Sequence, residues 1–145
     1  MYNIKIKYIG GIKVDMKIYN NKNEIDTSNF RAWAEIDLSK LKHNVEVIRK
    51  LLHDDVDIIG VVKANAYGHG DIVVSKYLES IGVKHFAVAF IEEAIKLRKS
   101  GIKGEIIILG WTPCCRKDEL IKYDLCQTLV SEEYAEELNK LSGVV

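Results

Sequence analysis

The chain has 145 residues, 48% of them hydrophobic, enough for one ordinary globular domain with a real core. Its 21 basic and 21 acidic residues cancel to a formal net charge of zero, so neither a nucleic-acid-binding footprint nor an acidic tail is expected. No apolar run approaches the roughly 20 residues that span a bilayer, and the alternating N-terminus lacks the apolar centre of a secretory signal, so the expected location is cytoplasmic.

The first twenty residues are expected to form a β-hairpin. Ile4, Ile6 and Tyr8 share one face, Ile12, Val14, Met16 and Ile18 alternate on the other arm, and Gly10-Gly11 provides a two-residue turn. Asn20 to Asn29 is polar and turn-rich, which divides the chain into a hairpin extension with its linker over 1–28 and a second domain over 29–145. A strand from Trp33 to Leu38 follows. Ser39 is then placed to cap a helix whose apolar positions Leu41, Val45, Ile48 and Leu52 recur at helical spacing.

Beyond it the pattern predicts a strand over 56–63 and a helix over 71–81, with Asp71 as cap, Val74, Leu78 and Ile81 inward, and Gly82 as stop. A strand over 85–90, a helix over 91–100 ending at Gly101 and a strand over 105–109 come next. A short helix near 117–123, a strand over 126–130 and a helix over 132–141 complete the order, and Val144-Val145 reads as the start of another strand. This α/β succession calls for a parallel sheet with right-handed crossovers. Pattern alone leaves two architectures open, a doubly wound sheet and a (β/α)8 barrel.

The richest chemistry lies where the strand over 56–63 ends. Its Val56, Ile58, Ile59, Val61 and Val62 read as a strand buried on both faces, and Lys63 follows them directly, ahead of a turn with Tyr67, Gly68 and Gly70. An amine at the rim of an apolar interior is in a setting where desolvation disfavours the charged form, which suits a nucleophile toward a carbonyl. Tyr67 offers a hydroxyl that can donate to a phosphate oxygen. Asn65 and His69 read as organisers of the loop, because buried polar groups must be paired.

From Val62 to Gly70 the string Val-Lys-Ala-Asn-Ala-Tyr-Gly-His-Gly resembles, without a gap, the pyridoxal 5′-phosphate attachment motif of the alanine racemase family, which includes the alanine/serine racemases of vancomycin-resistance clusters. The resemblance runs from about Phe30 to Val145. It implies the N-terminal half of a pyridoxal-phosphate-binding (β/α)8 TIM barrel, since a whole barrel takes about 250 residues. On that reading residues 29–145 are a partial, truncated barrel domain, the family's C-terminal β domain is absent, and the strand near Trp33 belongs with that second domain.

The resemblance also implies a function: racemisation of L- and D-alanine through a lysine aldimine, for D-alanine supply to peptidoglycan. Lys63 would be the catalytic and cofactor-binding lysine, and Tyr67 would contact the cofactor phosphate. The family's second catalytic group is a tyrosine from the C-terminal domain of the partner subunit, which would lie past Val145, as would the arginine facing the pyridine nitrogen. The full-length parent is therefore expected to be a homodimer acting on a small-molecule substrate, alanine or serine, and the fragment alone to be inactive. The alternatives are a serine racemase of the same family, or a non-enzymatic pyridoxal-phosphate homeostasis protein, which lacks the run after the lysine.

The remaining candidates have plainer readings. Adjacent Cys114 and Cys115, with Cys126, lack the spacing of metal ligands and read as reduced structural or loop thiols, and no metal site is expected. The acidic pairs Glu92-Glu93, Glu132-Glu133 and Glu136-Glu137 fit helix N-terminal charge preference and solvated faces. Trp111-Thr112-Pro113 reads as loop punctuation that could border the site.

Overall fold

The computed structural model describes residues 5–9 and 33–142, and the chain divides into two compact units, 1–53 and 54–145. In the first unit β1 (Lys5–Ile9) pairs antiparallel with β2 (Trp33–Asp37), Lys5 facing Asp37 and Ile9 facing Trp33. The expected glycine turn, the second hairpin arm and the linker lie outside the described residues. β2 runs straight into α1 (Leu38–Leu51). Asp37, not Ser39, caps this helix: its carboxylate accepts the Ser39 main-chain N–H at 2.8 Å and the Ser39 hydroxyl at 2.6 Å. A carboxylate also complements the positive end of the helix, and the Ser39 hydroxyl holds Asp37 below the usual carboxylate range. Leu38 and Val45 are buried while Ile48 is exposed, a narrower inward stripe than the periodicity predicts.

The second unit is built on a parallel sheet of β3 (Ile59–Val61), β4 (His85–Val88), β5 (Glu105–Ile108) and β6 (Cys126–Gln127). Ile59, His85 and Glu105 are in register at one end. The strands lie in chain order, without the reversal that defines a doubly wound sheet, so of the two architectures left open the order fits a barrel. Main-chain bonds carry the ladder past the strand ends: Val62 N–H to Ala87 O, Leu109 N–H to Val88 O, Gly110 N–H to Ala89 O and Thr128 N–H to Ile108 O.

Between the strands lie α2 (Lys63–Tyr67), α3 (Asp71–Ser80), α4 (Ile91–Lys99), a 3-10 turn at Cys114–Arg116 with α5 (Lys117–Lys122), and finally α6 (Glu132–Ser142). Phe86, Val88, Ile106 and Ile108 from the sheet are wholly buried, as are Ala94 and Leu97 of α4, with Val74 and Leu78 of α3 on the inward face that the periodicity predicts. Strand and helix layers meet closely. A Cβ on Gly60 would come within 3.0 Å of the Leu78 side chain, and one on Gly104 within 2.4 Å of the Lys84 carbonyl oxygen.

Several expectations need correction. The strand predicted over 56–63 is paired only from Ile59 to Val61, and it is not buried on both faces: Ile59 is 49% and Val61 42% exposed, against 2% for Val62. Side chains alternate along a strand, and the face carrying Gly60 is the one that meets α3. Asp71 is the first residue of α3 rather than its cap. Gly70, at φ +94°, precedes it, and the buried Asp71 carboxylate accepts the Ile72 N–H at 2.8 Å. The strand expected over 126–130 shrinks to Cys126–Gln127 plus the Thr128 bond. Val144-Val145 lies outside the described residues.

The segment after β3 departs most from ordinary helical geometry. α2 is a single turn wound left-handed: Ala64, Asn65, Ala66 and Tyr67 have φ of 52°, 56°, 51° and 54°. For L-residues this region costs about 1–2 kcal/mol each, somewhat less for asparagine, so the turn carries roughly 4–8 kcal/mol of strain. Main-chain bonds close it, from Ala66 N–H to Val62 O at 2.9 Å, Gly68 N–H to Ala64 O at 3.2 Å, His69 N–H to Ala66 O at 2.9 Å and Gly70 N–H to Asn65 O at 2.8 Å. Gly68, at φ +88°, ends the turn. Ala64 has an exposed side chain, so Ala64→Gly removes the crowding methyl and no buried packing. Its stability in urea melts should be unchanged or higher by up to about 1 kcal/mol. A loss of that size, as in an ordinary right-handed helix, would contradict the left-handed turn.

Candidate active site

Parallel strands deliver their C-terminal ends to one edge of the sheet, where barrels of this kind build their active sites. Lys63 is the residue after the last ladder bond of β3 and is half-buried. Among the described residues its amine has neither a hydrogen-bond partner nor an ion-pair partner. Tyr67, four residues on at the end of the left-handed turn, is 61% exposed. At the same edge lie Val61 of β3, Phe90 after β4, and Leu109 and Trp111 after β5, all exposed apolar side chains. An available amine, an accessible phenol and an apolar rim stand together at the strand ends.

The polar residues of the motif bond within the loop as expected, although Asn65 and His69 are exposed rather than buried. The Asn65 side-chain oxygen accepts the Asp71 N–H at 3.2 Å, joining the turn to the start of α3. The His69 ring Nδ1 lies 2.9 Å from the Ala66 carbonyl oxygen, which can only accept, so this contact fixes the ring proton on Nδ1. His69 is thereby part of the scaffold.

Glu93 and Lys96, one turn apart on α4, reach back to this segment. The Glu93 carboxylate accepts the Ala64 N–H at 2.7 Å, the Ala89 N–H at 2.8 Å and the Phe90 N–H at 3.4 Å. Lys96 Nζ meets both carboxylate oxygens of Asp71 at 2.7 Å. The sequence reading placed Glu93 with ordinary helix-start acids. The available signal was its position three residues after Phe90, a cap residue with no side-chain acceptor to reciprocate.

Around the rim the remaining groups are structural. Arg116 bridges Glu92 at the start of α4 and Glu119 of α5. Glu92 is held below its ordinary range by its own main-chain N–H and by Arg116, and Glu119 chiefly by Arg116. The two carboxylates in turn hold the Arg116 guanidinium protonated. The buried Tyr134 hydroxyl donates to the Thr112 carbonyl at 2.7 Å, which orders the loop carrying Trp111. Burial pushes the Cys114 and Cys126 thiols up, which keeps them protonated.

The family described as "Alanine racemase, N-terminal domain" matches residues 36–144. An amino-acid racemase of Enterococcus faecalis is 51% identical over 109 residues, covering 75% of this chain and 16% of that protein. Alanine racemase 1 of Clostridium acetobutylicum is 50% identical over 108 residues, covering 74% of this chain and 28% of that protein. Among solved structures, alanine racemase from Clostridium difficile 630 superposes with a TM-score of 0.70 at 40% identity, over 73% of this chain and 28% of that one. The chain thus spans less than a third of the length of these relatives. Its parallel sheet and helices correspond to the N-terminal half of the α/β barrel domain in those racemases. On the match over residues 36–144, the chain belongs to the alanine racemase family through that family's N-terminal domain.

Proposed function

We propose that this chain carries the lysine-bearing part of a pyridoxal 5′-phosphate-dependent racemase that interconverts L- and D-alanine, supplying D-alanine for peptidoglycan. The observation that carries the reading is the half-buried Lys63 at the C-terminal end of β3, its amine without a partner among the described residues, with the exposed Tyr67 one left-handed turn away. The donor set fits the cofactor: a primary amine for its aldehyde, a phenol for its phosphate, and open space at Gly68, where a Cβ would meet nothing within 4 Å. Val61, Phe90 and Trp111 offer apolar surface to a planar ring.

When bound, the cofactor supplies an electron sink for the charge left at the substrate α-carbon. Lys63 would hold the cofactor through its side-chain amine, and its Nζ would serve as proton acceptor and donor at the substrate α-carbon on one face. The Tyr67 hydroxyl would donate a hydrogen bond to a phosphate oxygen and so help hold the cofactor. Racemisation also needs a proton donor on the opposite face, which in this reading is a tyrosine of the partner subunit outside residues 1–145. The working protein is accordingly a cytoplasmic homodimer acting on alanine or serine. Among the described residues no helix is long and apolar enough to cross a membrane.

Incubating the full chain with pyridoxal 5′-phosphate and reducing with borohydride should leave a pyridoxyl label on the peptide containing Lys63, absent in Lys63→Ala. Label on Lys84 or Lys103 instead would refute the assignment. Tyr67→Phe should weaken cofactor binding roughly 10- to 100-fold, the loss of one hydrogen bond to a charged group, read by fluorescence titration. An unchanged affinity would remove Tyr67 from the site. A labelled protein that never exchanges the α-hydrogen of alanine in D2O, even as the full-length polypeptide, would instead be a cofactor-binding protein without racemase activity.

A further inference from the structure

We propose that Glu93 is a positioning residue for the reactive lysine: its carboxylate ties the first residue of the left-handed turn to the loop between β4 and α4, and so fixes the backbone from which Lys63 projects. The inference deepens the function proposed above and rests on it for the role of Lys63. Glu93 occupies the third position of α4, where a glutamate ordinarily folds back onto the N–H of its own cap. Here that contact, to Phe90, is the longest of three at 3.4 Å. The short bonds run to Ala89 at 2.8 Å and, across 29 residues of sequence, to Ala64 at 2.7 Å.

Ala64 N–H belongs to the peptide bond whose carbonyl is that of Lys63, so a bond to this donor restrains the lysine backbone directly. It also satisfies the first donor of a strained turn, at the point where the β3 ladder has just ended. A carboxylate is acceptor-only and can serve both N–H groups at once, which a glutamine could do only by turning one N–H toward another. Helix capping alone does not call for the Ala64 contact. Chain length separates the two roles: an aspartate keeps the charge at the start of α4 but is one methylene shorter, and it withdraws from Ala64.

The test compares wild type, Glu93→Asp and Glu93→Ala as full chains, by hydrogen exchange of the Ala64 amide and by the rate of borohydride-trapped pyridoxyl labelling at Lys63. Both variants should exchange the Ala64 amide roughly 10- to 100-fold faster, the range for losing one charge-assisted bond. They should also label Lys63 several-fold more slowly while other lysines label at the wild-type rate. Melting temperature should fall in both variants, and further in Glu93→Ala, which also loses the charge at the start of α4. Unchanged exchange at Ala64 in both variants, or full recovery by Glu93→Asp, would overturn the inference and leave Glu93 a helix cap. Faster exchange with unaltered labelling of Lys63 would overturn the link to the amine. Should wild type itself take no label at Lys63, the proposed function fails, and the Ala64 exchange still decides whether Glu93 holds the turn.

Discussion

Four successive non-glycine residues at positive φ, directly after Lys63, set the constraint around which the second unit is arranged. Strain of several kcal/mol does not persist by itself; surrounding structure must over-determine it. The bonds here are of the right size. The Glu93 carboxylate on Ala64 contributes about 1.5–3 kcal/mol as a charge-assisted bond, and each main-chain bond closing the turn adds about 0.5–1.5 kcal/mol. The opposite end is fixed as well, because Asn65 accepts from Asp71, whose carboxylate is gripped by Lys96. Thus α4 holds both ends of the segment, at Ala64 and at Asp71, through two side chains one helical turn apart. Its own position follows from Ala94 and Leu97, wholly buried among the strands' apolar residues.

The sheet explains why this apparatus sits where it does. Strands in chain order and parallel register bring the loops after β3, β4 and β5 to a single edge. The turn, the Ala89-Phe90 loop that shares Glu93 with it, and the Trp111 loop are therefore neighbours by topology rather than by sequence. Close contact between layers depends on small residues. Gly104 lets β5 begin beside the Lys84 carbonyl, and Gly60 lets Leu78 of α3 lie on β3. The opposite face of β3 leaves Ile59 and Val61 exposed, whereas the helix-facing residues are sealed.

Much of this order was readable from residue pattern, because it follows from burial. The inward Val74 and Leu78 of α3 and the stops at Gly82 and Gly101, both at positive φ, come from periodicity and backbone permissiveness. Lys63 and Tyr67 were singled out for a different reason, their resemblance to an unbroken family motif; periodicity alone would have left them as a strand-end lysine and a loop aromatic. What pattern could not show are choices settled by competition between neighbours. Asp37 and Ser39 can both cap α1, and the carboxylate wins while the hydroxyl becomes its donor. Asp71 has the residue type of a cap, yet its partner Lys96 comes from another helix. The left-handed turn was least legible of all. Ala64 and Ala66 are good formers of right-handed helix, and no local preference predicts the opposite hand. Only long-range partners, Glu93 above all, make it the lower-energy choice.

Under the proposed function, such a turn would suit a lysine that must exchange partners. Its side chain carries about 2 kcal/mol of rotamer entropy, and a mobile backbone beneath it would add to what must be ordered each time the amine meets a carbon. A rigid origin confines the search to the side-chain torsions of the lysine. An ordinary strand-to-helix loop would have to be immobilised by the ligand itself, at a cost in affinity. Here strain is held by the Glu93, Asn65 and Asp71–Lys96 contacts on the protein side of the loop, while Tyr67 and the Lys63 amine are left without such duties. Separation of the groups that fix the backbone from those that face solvent is what makes the strand end both stiff and chemically available.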